Sequence, residues 1–225
     1  MKTLVKVLVL FITTILFAQN PIEKTVGEFN ELKVYDLIKV ELIKADLDKV
    51  IITGKNKKDV LVNNKNGTLK IKMNLGEAFD GNQTKVKLYY TNIDVIDANE
   101  GANIHSDDII EQFEIDLNAQ EGGKINVKLD VKYANIRAVT GADVIALGVA
   151  KNQDVSIYTG GDYDGKALKT EVTDVSIRAA GEAYIYATKK VEAKVRAGGD
   201  IYIYGNPERV DESRVLGGRI KRINE

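Results

Sequence analysis

Ile177-Arg-Ala-Ala-Gly-Glu-Ala-Tyr-Ile-Tyr186 and Val195-Arg-Ala-Gly-Gly-Asp-Ile-Tyr-Ile-Tyr204 are two copies of one pattern. Each runs from an aliphatic residue, through a small one and glycine, to an acid and then a strand alternating apolar and tyrosine. Working back along the chain, the aliphatic-x-small tripeptide recurs as Ile157-Tyr158-Thr159, Ile136-Arg137-Ala138, Leu117-Asn118-Ala119 and Ile96-Asp97-Ala98. From Ile96 to Val195 the spacings are 21, 19, 21, 20 and 18 residues, and glycine follows each copy (Gly101, Gly122, Gly141, Gly160, Gly181, Gly198). A period near twenty means stacked supersecondary units.

Stacking by β-strand pairing places equivalent residues above one another at about 4.7–4.9 Å. On that spacing Ile96, Leu117, Ile136, Ile157, Ile177 and Val195 form one buried aliphatic ladder, and the small residues from Ala98 to Ala197 form a second. Small side chains and glycine permit the sharp corner between two faces of a coil. A leucine-rich repeat of similar period needs a Leu/Asn consensus that is missing here. The expected fold is therefore all-β, a right-handed parallel β-helix with coils of about 20 residues.

Outside the repeat, apolar and polar residues alternate with the period of half-buried strands at 34–42, 50–53, 60–62, 69–73 and 86–90. Asn66-Gly67 supplies the positive φ angles of a tight turn between two of them. The stretch 76–82 lacks alternation and reads as a loop. At the N-terminus, Lys2 and Lys6 precede an apolar run at 7–17 closed by the small residue Ala18. This reads as a signal peptide of residues 1–18, its apolar run too short to span a bilayer. The remainder, 19–225, reads as a single exported domain, destined for the periplasm, the outer cell surface or the medium. After the tail's charged start at 208–214 one short strand is expected around 215–223, with 208–225 capping the stack.

With no cysteine, neither disulfides nor cysteine-ligated metals are possible. Without the leader, 30 Lys and Arg (32 less Lys2 and Lys6) face 33 Asp and Glu, interspersed along the chain. No basic face awaits nucleic acid, and no second apolar run reaches membrane-spanning length. The single histidine, His105, precludes histidine triads and multi-histidine metal sites. There is no nucleophile elbow, P-loop or dinucleotide fingerprint, so neither a catalytic set nor a cofactor is expected.

The run Val195-Arg-Ala-Gly-Gly-Asp-Ile-Tyr-Ile-Tyr-Gly-Asn-Pro207, with Gly217-Gly218-Arg-Ile220 after it, resembles the ending of the bacterial head-GIN domain family, described as autotransporter adhesins. The stretch 122–126 suits the Gly-Ile-Asn theme of that name, and the resemblance spans roughly residues 25–224. It implies a β-helix similar to that of pectate lyases, without their catalytic residues, and a role in adhesion at the bacterial surface. The family's Gly-Ser-Gly turns stand here as Glu-Gly-Gly, Thr-Gly-Ala, Thr-Gly-Gly, Ala-Gly-Glu and Ala-Gly-Gly, which removes the turn hydroxyls.

Two side-chain columns follow from the repeat. Asp162, Glu182 and Asp200 fall three positions past the small residue on successive coils and should stack. Stacked carboxylates repel unless solvent, a cation or a neighbouring positive charge intervenes. Arg178 and Arg196 offer that charge; a Ca²⁺ site is the alternative, although calcium cages need about six to eight oxygen ligands. If Ile185, Ile201 and Ile203 face inward, then Tyr184, Tyr186, Tyr202 and Tyr204 face outward together. Tyrosine suits wet interfaces, so these four form a candidate patch for a glycan or a surface protein. The plainer account is cross-strand pairing that stabilises the sheet. The functional expectation is a non-catalytic adhesin; a carbohydrate-active enzyme of pectate-lyase type and a ligand-free structural component of the envelope are the alternatives.

Overall fold

The structure, a computed structural model, describes residues 20–223, and the expected leader lies outside the described residues. Strands follow one another throughout this length, interrupted only by single-turn 3₁₀ segments at Lys57–Asp59, Leu75–Glu77 and Gly81–Gln83. All of them join one hydrogen-bonded system of stacked coils, a β-solenoid.

Each coil has a first and a second face. The first face stacks, in parallel, Glu31–Val34, Val95–Ala98, 116–120, 133–139, 152–158, Val172–Ile177, Lys190–Val195 and Arg209–Arg214. The second face stacks Lys39–Lys44, 103–106, 124–126, 143–145, 162–164, Glu182–Tyr186, Asp200–Tyr204 and Arg219–Arg222. Four middle coils carry a third, shorter face, at 109–112, 128–131, 147–149 and 167–169. The corner from first to second face is made by two successive left-handed residues, as at Glu121 and Gly122 (φ 54° and 74°) or Thr140 and Gly141 (φ 54° and 68°). The second of these positions suits glycine, which has no Cβ to strain there.

The register corrects one expectation. Ile136 stacks on Val155, not on Ile157, and Ile157 continues the column of small residues. The true ladders are Ile96, Leu117, Ile136, Val155, Val175, Ala193 and Ala98, Ala119, Ala138, Ile157, Ile177, Val195. A slip of two keeps every side chain on its face, so the alternation alone could not reveal it. Volume is conserved across the slip: where the small column turns to isoleucine, the aliphatic column shrinks to valine and then alanine. All twelve residues are buried, and each fully buried aliphatic contributes about 1.5–3 kcal/mol.

The continuous strand expected at 34–42 is broken. Asp36 and Leu37 adopt left-handed φ of 59° and 62°, making a corner between Glu31–Val34 and Lys39–Lys44. The cause is a buried carboxylate: Asp36 accepts from the backbone N–H groups of Met73 (2.9 Å) and Phe79 (3.1 Å). Beneath this coil the chain adds edge strands. Thr68–Met73 pairs in parallel with Glu31–Val34 and carries Val60–Lys65 antiparallel across the Asn66-Gly67 turn. Thr84–Tyr90 pairs in parallel with Lys39–Lys44, and Lys49–Gly54 and Ile22–Thr25 follow antiparallel.

The third face ends at a buried polar network. The Tyr163 hydroxyl donates to Gln153 Oε1 (2.8 Å), Gln153 Nε2 donates to Thr173 Oγ1 (2.9 Å), and Thr170 Oγ1 donates to the Tyr186 carbonyl (2.5 Å). Burial raises the Tyr163 hydroxyl far above its ordinary pKa, which keeps it a donor. The coils beyond are narrower, passing from Tyr186 to Lys190 across a short corner.

At the C-terminal end the sequence reading missed a strand. Arg209–Arg214 and Arg219–Arg222 form a further complete coil, and 215–218, expected as strand, contains its corner. In this coil the inward positions change character: Glu212 stacks on Ala193, Arg214 on Val195 and Arg222 on Ile203. Glu212 and Arg222 approach to 3.9 Å.

Candidate functional site

The tyrosines predicted from the alternation do share the second face: Tyr184 is paired with Tyr202 and Tyr186 with Tyr204. The Tyr184 and Tyr202 rings are stacked at 4.7 Å with planes 10° apart. Their faces are thus turned on each other. The other face of Tyr184 looks to the preceding coil, where the Lys166 ammonium lies 5.9 Å from its centroid. The Tyr184 hydroxyl donates to Glu182 (2.6 Å), which pushes its pKa up to about 12. Such a ladder presents ring edges and hydroxyls outward rather than a flat apolar platform, and an aromatic pair contributes about 0.5–1.5 kcal/mol to the sheet.

The acid column is also assembled, with Asp162 paired to Glu182 and Glu182 to Asp200. The predicted partners of these acids are replaced by others. Arg178 lies over the Tyr158 ring at 5.2 Å. The cation on Asp200 is Arg219 (Nε to Oδ1 3.0 Å), which holds that carboxyl below its usual pKa. Asp162 accepts from the Glu182 backbone N–H (2.9 Å), and burial with Asp143 and Glu182 nearby raises its pKa. Among the described residues no group of three or more His, Asp or Glu is arranged to hold a metal ion.

Along the four coils that precede the tyrosines, the same face opens into a cleft of about 780 Å³ that sequence reasoning did not find. Its apolar floor includes Ile145 and Leu147; Asn103, His105 and Asn126 lie on the N-terminal side, and Asp162 and Asp164 on the other. The concavity arises where the second face bends into the third. Two extra residues at 106–108 and one at 165–166 bulge from the ladder, between His105/Asn126 and Ile109/Lys128 and between Ile145/Asp164 and Leu147/Ala167. The Ser106 hydroxyl fixes the first bulge by donating to the Asp108 carbonyl (3.0 Å). His105 sits half-buried on a strand and lines this cleft.

The polar rim is largely engaged in structural contacts. Lys124 pairs with Asp143 (2.6 Å) and Lys166 with Asp164 (2.9 Å). Four carboxylates (Asp107, Asp143, Asp162, Asp164) outnumber two lysines (Lys124, Lys128) along the lining. One column links cleft and ladder: His105, Asn126, Ile145, Asp164, Tyr184 and Tyr202 are successive neighbours across six coils. The track from His105 to Tyr202 is therefore about 24 Å long at the inter-strand spacing.

Solved structures share this fold. A putative adhesin from Bacteroides fragilis superposes with a TM-score of 0.84 at 19% identity, covering 90% of this chain and 96% of that one. A putative lipid binding protein from Parabacteroides distasonis gives 0.72 at 16% identity (92% and 98% covered). A putative adhesin from Parabacteroides merdae gives 0.70 at 16% identity (91% and 95% covered). No curated protein matches the chain. The family model described as "Putative auto-transporter adhesin, head GIN domain" matches residues 28–207, all but the strand Ile22–Thr25 and the last coil of the solenoid, and the chain belongs to that family.

Proposed function

We propose that this protein is a non-catalytic, exported adhesin of the envelope or cell surface that holds a glycan or protein partner along its second face. The observation that carries the reading is the cleft around Ile145, continuous with the tyrosine ladder on one straight column. A rigid solenoid keeps such a track preformed, so little conformational entropy is lost on binding. The lining favours a neutral, hydroxyl-rich ligand: carboxylates and the Asn103 and Asn126 amides offer acceptors and donors, Ile145 and Leu147 pack against apolar ring edges, and the surplus of acids opposes polyanions. Weak binding per site suffices where many copies act together.

The enzyme alternative has less support. Asp143, Asp162 and Asp164 are held by Lys124, the Glu182 N–H and Lys166. Glycoside cleavage asks for two carboxyls free to act on one bond at a defined separation. The membership in an adhesin family points the same way.

The test is a glycan and polysaccharide array read for retention and for reducing-end release together, with and without Ca²⁺. Retention without release is the expected result. Release would establish the enzyme, and neither signal would leave a protein partner or a ligand-free structural role.

A further inference from the structure

The third face begins and ends inside the stack, so it has two strand edges of its own, and they are not alike. At its C-terminal edge the coil interior is closed by Tyr163, Gln153, Thr170 and Thr173, whose polar groups bond to one another. At its N-terminal edge lies 109–112, paired with 128–131 on one side only. Residues 103–106 before it pair with 39–42, and 116–119 after it with Val95–Ala98, but 107–115 has no strand partner on that side among the described residues. The first coil has no third-face segment to offer. After Lys39–Lys44 the chain turns off into the antiparallel strand Lys49–Gly54, and Thr84–Tyr90 returns directly to Val95–Ala98 through 91–94. A cavity of about 540 Å³ opens at this edge, lined by Lys44 and Tyr90 from the N-terminal side and by Ile110, Gln112 and Val131 of the third face. Ile110, Val131 and Tyr90 are buried residues of the core, so the core itself borders the cavity. The Tyr90 hydroxyl is buried there without a hydrogen-bond partner among the described residues. Burial, with Asp108 nearby, pushes its pKa up to about 12, so it stays a donor. Tyr163, buried at the other edge, has Gln153 as its acceptor.

We infer that an extended segment of a partner protein adds a strand to 109–112 and closes the third face at this edge. An edge strand presents a row of unpaired N–H and C=O groups, and another polypeptide backbone offers the complementary row at strand spacing. A sugar or a lipid could fill the cavity but would leave that row to water. Side chains alternate along an added strand, one set entering the cavity and the other facing solvent. The inward positions suit an apolar residue against Ile110 and Val131, and an amide or hydroxyl oxygen that accepts from Tyr90 as Gln153 does from Tyr163. The charged rim is mixed, Glu111 and Asp130 beside Lys44 and Lys132, so recognition rests on backbone pairing and the inward side chains rather than on net charge. Nothing in this depends on the ligand of the second face.

The test is selection of a displayed library of random octapeptides on the purified protein, followed by synthesis of the enriched sequences. Enrichment is expected, and the bound peptide should slow amide hydrogen exchange within 109–112. Methylating the peptide's backbone nitrogens at alternate positions should abolish binding in one phase and spare it in the other, because only every second residue of a strand turns its N–H toward a given neighbour. Tyr90→Phe should weaken binding of peptides that carry an inward acceptor about tenfold. The same variant should leave the Tm of the free protein unchanged or higher, since the hydroxyl it removes has no partner to lose. No enriched peptide, binding that survives both phases of methylation, exchange within 109–112 that the peptide does not slow, or a Tyr90→Phe protein that binds as the wild type would overturn the inference.

Discussion

Tyr163→Phe removes one oxygen from the point where the solenoid loses its third face, and its cost follows from the local hydrogen bonds. The ring stays packed and only the hydroxyl goes. Gln153 Oε1, which accepts from that hydroxyl at 2.8 Å inside the core, is left without a donor. A buried acceptor stripped of its partner costs about 1–3 kcal/mol. For a chain of this size each kcal/mol lowers Tm by about 2–4 °C. Urea unfolding followed by far-UV circular dichroism should show the midpoint falling while the slope stays constant. Gln153→Leu breaks the other side of the contact and also strips the Thr173 hydroxyl of its amide donor. The double variant should therefore lose at least about 1 kcal/mol less than the sum of the single losses, as residues in one network do. A Tyr163→Phe protein within about 0.5 kcal/mol of wild type, or strictly additive losses, would refute the claim that this network closes the wide coils.

Three further outcomes are expected. Replacing Glu212, Arg214 and Arg222 by Ala, Val and Ile, the residues beneath them, should turn the last coil into an apolar end with open strand edges and drive end-to-end association; a monomer by light scattering would show that these charges do not protect the end. Ala119→Leu should cost about 1–3 kcal/mol by overpacking, since the small column there is fully enclosed, and a neutral effect in thermal unfolding would mean the column has spare volume. Acidification should act in two stages. Asp97, Asp154 and Asp162 are held above the usual carboxyl range, chiefly by burial, so they bind protons more readily folded than unfolded. Stability should therefore rise or hold as pH falls from 7 to about 5. Glu31, hydrogen-bonded to Thr68 and Lys33, and Asp200, held by Arg219, are depressed; their contribution is present above the unfolded carboxyl values of about 4 and is lost as pH falls below these through the folded ones. A melting temperature that drops steadily from pH 7 to 5 would contradict this ordering.

The repeat was legible because glycine and small residues recur at corners, and corner chemistry is local. Alternation placed Tyr184, Tyr186, Tyr202 and Tyr204 outward and stacked Asp162, Glu182 and Asp200, as the register confirms. It could not distinguish Val155 from Ile157 as the partner of Ile136, because both face inward and differ by one full period. Nor could it find the cleft, which forms from bulges that shift one strand against its neighbour, a relation between coils that no single stretch records. The break at Asp36 was hidden for a similar reason: the groups it caps, Met73 and Phe79, lie about forty residues away. The last coil was misread because Arg209–Arg214 carries charges at inward positions, so the apolar alternation fails where the stack ends.

The central claim, that the second face holds a ligand without cleaving it, is tested most directly by comparing wild type with Ile145→Arg on the same glycan array. Ile145 is 39% exposed on the cleft floor, so an arginine there would fill the cleft without entering the core. Retention by the wild type, loss by the variant and no reducing-end release in either is the predicted result. Equal retention by both proteins, or release of reducing ends by the wild type, would contradict it.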